Sequence, residues 1–394
     1  MSTARKAGVL LATVVDWRAK RIEDPLNRLR YLRVATVGLE SSPRPRLGRW
    51  HYAALAALLF TAGSLALSRA VAPRGAATQK AGRPSPVERA APGLASAERF
   101  PDVWLVEENA ERAEYSNGLQ IDCRMEVSNR PRSYAVFDAT RPDRGPLEWR
   151  KDPAGIVFHT TESMQVPFEP VQNRALQHIT GGLVEFVRDK RAYHFLVDRF
   201  GRVHSIVKES DAANHAGHSV WADDKWLYLN LNDSFFGVSF EAQTHHGEGS
   251  TPITPAQAHS GALLVEMLRA RYRIAARNCV THAQVSVNPS NMLIGYHTDW
   301  AGNFPFVEIG LPDNYAQPPP AMELFGFKYD TAFVKATGAR LWQGLALAED
   351  QVRSQSAARK LEVAQYRSIL QKKYKDVMVT LKEASAAWER NHAT

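Results

Sequence analysis

Two histidines, an aspartate and a glutamate stand where short apolar runs of this chain end. In GIVFHT (155–160), period-two alternation puts Val157 and His159 on one face of a strand and Ile156 and Phe158 on the other. A histidine closing such a strand either projects into a cleft or is a satisfied core residue. His282 follows a second apolar run in NCVTHAQVS, and Asp299 lies in the polar, aromatic stretch YHTDWAGNF. Two imidazoles and a carboxylate are suitable zinc ligands that leave a fourth position for water. The three are far apart in sequence and no HExxH helix joins them, so spacing alone does not select them. Glu241 ends GVSFE, sharing a face with Ser239. A carboxylate emerging there serves as a general base or as a plain edge carboxylate in solvent.

The elements that must position these residues read as strands interleaved with helices. GIVFHT and FFGVSFEAQ (235–243) have strand patterns, and YHFLVDRFGRVHSIV (193–207) is a hairpin signal turning at Gly201. Leu176, Ile179, Leu183, Phe186 and Val187 predict a helix within 171–190. Thr254 before Pro255 predicts a helix start, with Leu263, Leu264, Met267, Leu268 and Tyr272 as its buried stripe. Residues 100–153 carry short strand-like runs, DVWLVEE and SYAVFDA. The fold class expected is α/β, with a single mixed central sheet flanked by helices. The last 55 residues read as a helical extension, in which Leu370, Tyr374, Val377, Leu381, Ala384 and Trp388 are spaced 4-3-4-3-4. Fewer than three heptads favour a helix packed on its own domain over a coiled coil.

The 394 residues carry a net charge of +8, and residues 1–49, with 11 basic and four acidic side chains, hold +7 of it. The remainder is near neutral, which argues against a nucleic-acid partner. Residues 50–68 hold no Asp, Glu, Lys or Arg. A helix of that length spans roughly 29 Å, close to a bilayer core. The basic residues before it predict a single-pass anchor with 1–49 cytoplasmic and the rest outside. A signal peptide is the rival reading, but a 50-residue basic region is unusual for one and Pro73 follows the small-residue site directly. Residues 69–98, rich in Ala, Pro and Gly, read as a tether. The expected domains are then 1–49, 50–68, 69–98, a catalytic-type domain over 99–318 and a helical extension over 319–394. Two cysteines, Cys123 and Cys279, exclude a four-cysteine zinc module. They are either a disulfide pair, which an exported location permits, or two buried thiols.

IVFHTTES, YHFLVDRFGRVHSIVKESDAANHAGHSVW, GVSFEAQ and VTHAQVS…HTDW occur in order across 155–300. Together they resemble the zinc-dependent N-acetylmuramoyl-L-alanine amidases, the type-2 family that shares its fold with peptidoglycan recognition proteins. The resemblance covers under half of the chain. It implies His159 and His282 as zinc ligands, Asp299 as the ligand completing the site and Glu241 as general base. It further implies His215, in NHAG, as a residue shaping the substrate cleft. Two positions depart from the pattern: Asn214 stands where the family has Trp, and His297 where it commonly has Lys. The segment between His282 and Asp299 is also longer than usual. The third ligand is thereby open between Asp299 and His297, with Cys279 a distant alternative. If Asp299 is the ligand, His297 or a backbone N–H is the candidate to stabilise the oxyanion. The implied activity is zinc-dependent hydrolysis of the amide between N-acetylmuramic acid and L-alanine, with peptidoglycan or muropeptides as substrate. A zinc-free peptidoglycan-binding module and a membrane-tethered scaffold, its C-terminal helix meeting a protein partner, are the rival readings.

Overall fold

The computed structural model describes residues 98–244, 253–338 and 340–392. The expected basic segment 1–49, the anchor 50–68 and the tether up to residue 97 lie outside the described residues. Among those described, no helix is long and apolar enough to cross a membrane. Glu98 ties the start of the described chain to the domain: its Oε1 accepts from Arg269 Nη2 at 2.5 Å and from the Ala276 amide at 2.7 Å.

Fourteen strands are described: β1 Leu105–Glu108, β2 Arg112–Tyr115, β3 Gln120–Asp122, β4 Tyr134–Asp138, β5 Pro146–Arg150, β6 Gly155–Thr160, β7 Phe195–Val197, β8 Val203–Ser205, β9 Val220–Ala222, β10 Trp226–Leu229, β11 Phe235–Phe240, β12 Cys279–Thr281, β13 Val287–Asn288 and β14 Leu293–Ile294. The helices are α1 Asn173–Asp189, α2 Pro255–Tyr272, α3 His282–Val285, α4 Pro320–Phe325, α5 Thr331–Ala336, α6 Gln343–Ala358 and α7 Val363–His392. The main sheet has the order β1-β2-β3-β8-β7-β11-β6-β12. Its centre, β7-β11-β6-β12, is parallel.

Alternation makes the two faces of this sheet chemically different. Ile156, Phe158, Phe195, Val197, Phe236, Val238, Phe240 and Cys279 form an apolar face that packs on Leu264, Val265, Met267 and Leu268 of α2. The strand register sets His159 beside Ser239 and Ser239 beside Leu196, so these share the opposite face. Glu241 extends the same face, because its amide continues the ladder by donating to the Val197 carbonyl at 2.9 Å. The polar residues are thus carried on the front of a sheet whose back is fully buried. Helix α2 begins as expected: Thr254 Oγ1 accepts from the Gln257 amide at 3.1 Å, and Gln257 Oε1 accepts from the Thr254 amide at 3.0 Å. The hairpin β7–β8 also forms, with Gly201 at φ 80°.

The expectation of a single sheet needs correction. A second, antiparallel sheet, β5-β4-β10-β9, accompanies the first. Its Tyr134, Val136, Trp221 and Tyr228 pack with Val157 and Val280 of the main sheet. Its other side, including Phe137, Leu227 and Leu229, is covered by the helical extension through Phe325, Leu345, Tyr374, Val377 and Leu381. SYAVFDA was legible as a strand, but β9 and β10 have three and four residues and show no period of their own. Their pairing is decided by tertiary packing. The stripe on α7 packs on its own domain as expected, and Trp388 at its end stacks on Trp149 at 4.9 Å between centroids.

Arg132 joins the loops that carry Asp211 and Asp233. Its side chain is buried, with Nη1 donating to the Asp233 carbonyl at 3.0 Å and Nη2 to the Asp211 carbonyl at 2.9 Å. Burial pushes its pKa down to about 10, and no carboxylate pairs with it among the described residues. Removing the guanidinium strands several buried carbonyls. Arg132→Met is expected to lower stability by about 2–4 kcal/mol, and chemical denaturation measures it. Arg132→Lys should recover only part, because an ammonium cannot reproduce the two-pronged fork.

Candidate metal centre

His159 is the penultimate residue of β6, and His282 opens α3, directly after β12. These neighbouring parallel strands therefore deliver both rings to the same end of the sheet. Thr281 fixes the start of α3 through a capping box with Gln284. The ring centroids of the two histidines are 4.5 Å apart. The loop after β14 brings in Asp299. Its Oδ2 lies 3.1 Å from His159 Nδ1, and its Oδ1 lies 2.8 Å from His282 Nδ1. Ligand atoms of the three residues all fall within 4.8 Å of one another.

The outer hydrogen bonds decide what those nitrogens present. His282 Nε2 faces the Ala216 carbonyl at 3.3 Å. A carbonyl only accepts, so Nε2 carries a proton, and Nδ1 is the ring nitrogen left to offer a lone pair to a metal. His215 Nε2 likewise donates to the Phe235 carbonyl at 3.2 Å. Burial holds the His215 pKa far below its usual value, so its Nδ1 is a lone pair that accepts from His159 Nε2 at 3.1 Å. His159 is then protonated on Nε2, and burial, reinforced by His282, pushes its pKa down to about 4. Two imidazole lone pairs and a carboxylate therefore converge. Either an extra proton or a cation must sit among them, and a divalent cation satisfies all three donors at once. The donor set fits zinc in the catalytic pattern of three protein ligands and one open position.

The remaining predicted residues are placed as follows. His215 stands behind His159 as its hydrogen-bond partner, held by Asn232 Oδ1, which accepts from the His215 and Ala216 amides at 2.8 and 2.6 Å. Gly237 makes room for it: a Cβ there would lie 2.6 Å from His215 Cγ. His297 stacks its ring on His282 at 4.6 Å and 16°, and its amide donates to Ser286 Oγ at 3.0 Å. Cys279 is paired in register with Ile156 and so points into the apolar face, which removes it as a ligand. Both Cys123 and Cys279 are free thiols.

Glu241 is buried on the front face. Its Oε2 accepts from Thr180 Oγ1 at 2.8 Å and from the Arg199 amide at 3.2 Å. Its Oε1 is buried and takes no hydrogen bond from the described residues. Burial raises its pKa above the ordinary carboxylate value, and the bonds from Thr180 and Arg199 offset this only in part. Thr180, Asn232, Gly237 and Tyr193, whose ring lies 5.0 Å from that of His159, were not singled out from the sequence. Gly237 alone left a signal, since a glycine inside a strand often marks a close approach.

Residues 149–300 match the family model described as N-acetylmuramoyl-L-alanine amidase. No curated protein matches the chain. Among solved structures, AmpDh3 from Pseudomonas aeruginosa in complex with anhydromuramic pentapeptide is 22% identical, with 40% of this chain and 58% of that one covered and a TM-score of 0.30. The chain therefore spans under two thirds of that protein's length. AmiD from E. coli, with the substrate anhydro-N-acetylmuramic acid-L-Ala-D-gamma-Glu-L-Lys, is 22% identical over 52% of this chain and 64% of that one, with a TM-score of 0.30. The Drosophila peptidoglycan recognition protein SD is 16% identical over 41% and 84%, with a TM-score of 0.25. The family-model match and the ordered motifs it spans identify residues 149–300 as a domain of the type-2 N-acetylmuramoyl-L-alanine amidase family.

Proposed function

We propose that this chain is a zinc-dependent amidase that cleaves the bond between N-acetylmuramic acid and L-alanine in peptidoglycan or muropeptides. The observation that carries the reading is the convergence of two imidazole lone pairs and the Asp299 carboxylate at one end of the parallel strands, inside the segment that matches the amidase family. Zinc bound there would supply Lewis-acid polarisation of the scissile carbonyl and activation of water. Glu241 Oε1, uncommitted and basic for a carboxylate, takes the proton of the attacking water and passes it to the leaving amine of L-alanine. His297, beside His282, donates to the developing oxyanion in place of the family's lysine. His215 and the Ala216 carbonyl keep both metal-facing rings in the required tautomer. The apolar stretch 50–68 supports a membrane anchor that holds this activity against the cell wall.

The test incubates the full chain with purified peptidoglycan and reads the products by mass spectrometry. Stem peptides beginning with L-alanine should be released, lost on chelation and restored by zinc. A folded protein that pulls down peptidoglycan and releases nothing with zinc present overturns the enzymatic reading in favour of a binding module.

A further inference from the structure

The peptide groups around Asp299 are fastened one by one. The Thr298 carbonyl accepts from the Ala301 amide at 2.9 Å, and the Asp299 carbonyl from the Ala283 amide at 3.2 Å. The Trp300 carbonyl accepts from Tyr315 Oη at 2.7 Å, and the Ala301 carbonyl from Trp342 Nε1 at 2.8 Å. Four consecutive carbonyls are thus committed, two of them to side chains that lie well beyond the loop in sequence.

The backbone they hold is not a relaxed one. Trp300, buried against Phe304 and Phe240, sits at φ 58°, in the left-handed region that a bulky residue rarely adopts. Such a residue persists only where its surroundings over-determine it. Tyr315 and Trp342 meet that need together, since their rings stack at 4.9 Å. Trp342 in turn packs edge-on against Phe333 of α5 at 5.2 Å. The earlier part of the same loop is bound to the same region. The Ile294 amide donates to the Lys328 carbonyl at 2.8 Å, and the Lys328 amide to the Met292 carbonyl at 3.0 Å. Gly295, at φ 70°, lies so close to Phe333 that a Cβ would fall 2.0 Å from its ring. The long segment between His282 and Asp299 and the helical extension therefore form one construction, with the aspartate at its tip.

We propose that Tyr315 and Trp342 are positioning residues for the metal site. Their hydroxyl and indole donors fix the Trp300 and Ala301 carbonyls, and so hold the Asp299 carboxylate between His159 and His282. The metal affinity of the front face is then set in part from Trp342, in the helical extension. This inference rests on the zinc reading above.

The experiment compares the full chain with Tyr315→Phe and Trp342→Phe, each of which deletes one donor and keeps an aromatic ring. Zinc affinity is read by competition with a chromophoric chelator, ligand geometry by the visible absorption of the cobalt form, and fold integrity by melting of the metal-free protein. Each variant is expected to lose roughly 10–100-fold in zinc affinity and to alter the cobalt spectrum. In an Asp299→Asn background, adding Trp342→Phe should change affinity no further. Unchanged zinc affinity, even with a lower melting temperature, overturns the inference and leaves the two residues a purely structural role. An equal further loss in the Asp299→Asn background also overturns it, because the effect then bypasses the aspartate. If Trp342→Phe does not fold, Tyr315→Phe alone carries both comparisons. A wild-type chain that binds no zinc removes the functional reading and this inference with it, whereas tight wild-type binding with indifferent variants removes the inference alone.

Discussion

Glu241→Gln should lower turnover on peptidoglycan by roughly 10²–10⁴-fold, the range typical for loss of a positioned general base, and leave zinc binding and substrate pull-down in place. The substitution preserves shape. A glutamine carbonyl can still accept from Thr180 Oγ1 and the Arg199 amide, while the uncommitted Oε1 becomes an amide nitrogen that accepts no proton. The same variant has a stability signature with a definite sign. Burial raises the Glu241 pKa above its reference value of 4.5. The folded state thus binds the proton more tightly than the unfolded chain, and ionisation opposes folding. Below pH 4.5 the carboxyl is protonated in both states and costs nothing. As pH rises through 4.5 and on through the raised folded value, wild type loses stability that Glu241→Gln does not lose. The melting temperature of the variant should therefore exceed that of wild type at neutral pH, with the gap closing below pH 4.5. A variant that retains most of its turnover would remove Glu241 from the chemistry. A melting difference that does not vary with pH would mean that the carboxylate is not penalised by burial.

How much of this was legible in the sequence follows from which signals are local. Alternation in GIVFHT and GVSFE placed His159 and Glu241 on strand faces, and the register that sets His159 beside Ser239 keeps those faces aligned. The Thr254 cap and the turn at Gly201 were equally local, because each is built from residues within a few positions of one another. The second sheet was not legible, since β9 and β10 are too short to carry a period and owe their pairing to Trp221 and Tyr228 packing on the main sheet. The third ligand was left between Asp299 and His297 for the same reason. Two residues apart in a loop, they have no periodicity to separate them, and it is the tertiary fold that brings the Asp299 oxygens to His159 and His282 while His297 stacks on the His282 ring. Thr180 was hidden for a different cause. It lies in the interior of α1, where hydroxyls are ordinary, and its meaning comes only from the carboxylate opposite.

Asp299→Asn and His297→Gln should separate metal binding from catalysis. Asp299 is the described carboxylate whose oxygens reach Nδ1 of both histidines, at 3.1 and 2.8 Å. Amidation keeps its shape and removes its charge. A unit charge pair at ~4 Å contributes about 4 kcal/mol at an effective dielectric constant of 20. Against a divalent cation the loss should then be on the order of 10³-fold in affinity or more, with turnover falling accordingly at limiting zinc. His297 instead stacks its ring on that of His282, at 4.6 Å and 16°. His297→Gln should leave zinc affinity within a few-fold of wild type and lower turnover at saturating zinc by roughly 10²–10³-fold, the range for removing one oxyanion donor. Chelator competition measures the first quantity, and peptide release at saturating zinc the second. The reverse pattern, with affinity lost in His297→Gln and kept in Asp299→Asn, would make His297 the third ligand and Asp299 its orienting partner. Retention of both affinity and turnover in His297→Gln would place the oxyanion donor elsewhere on the front face.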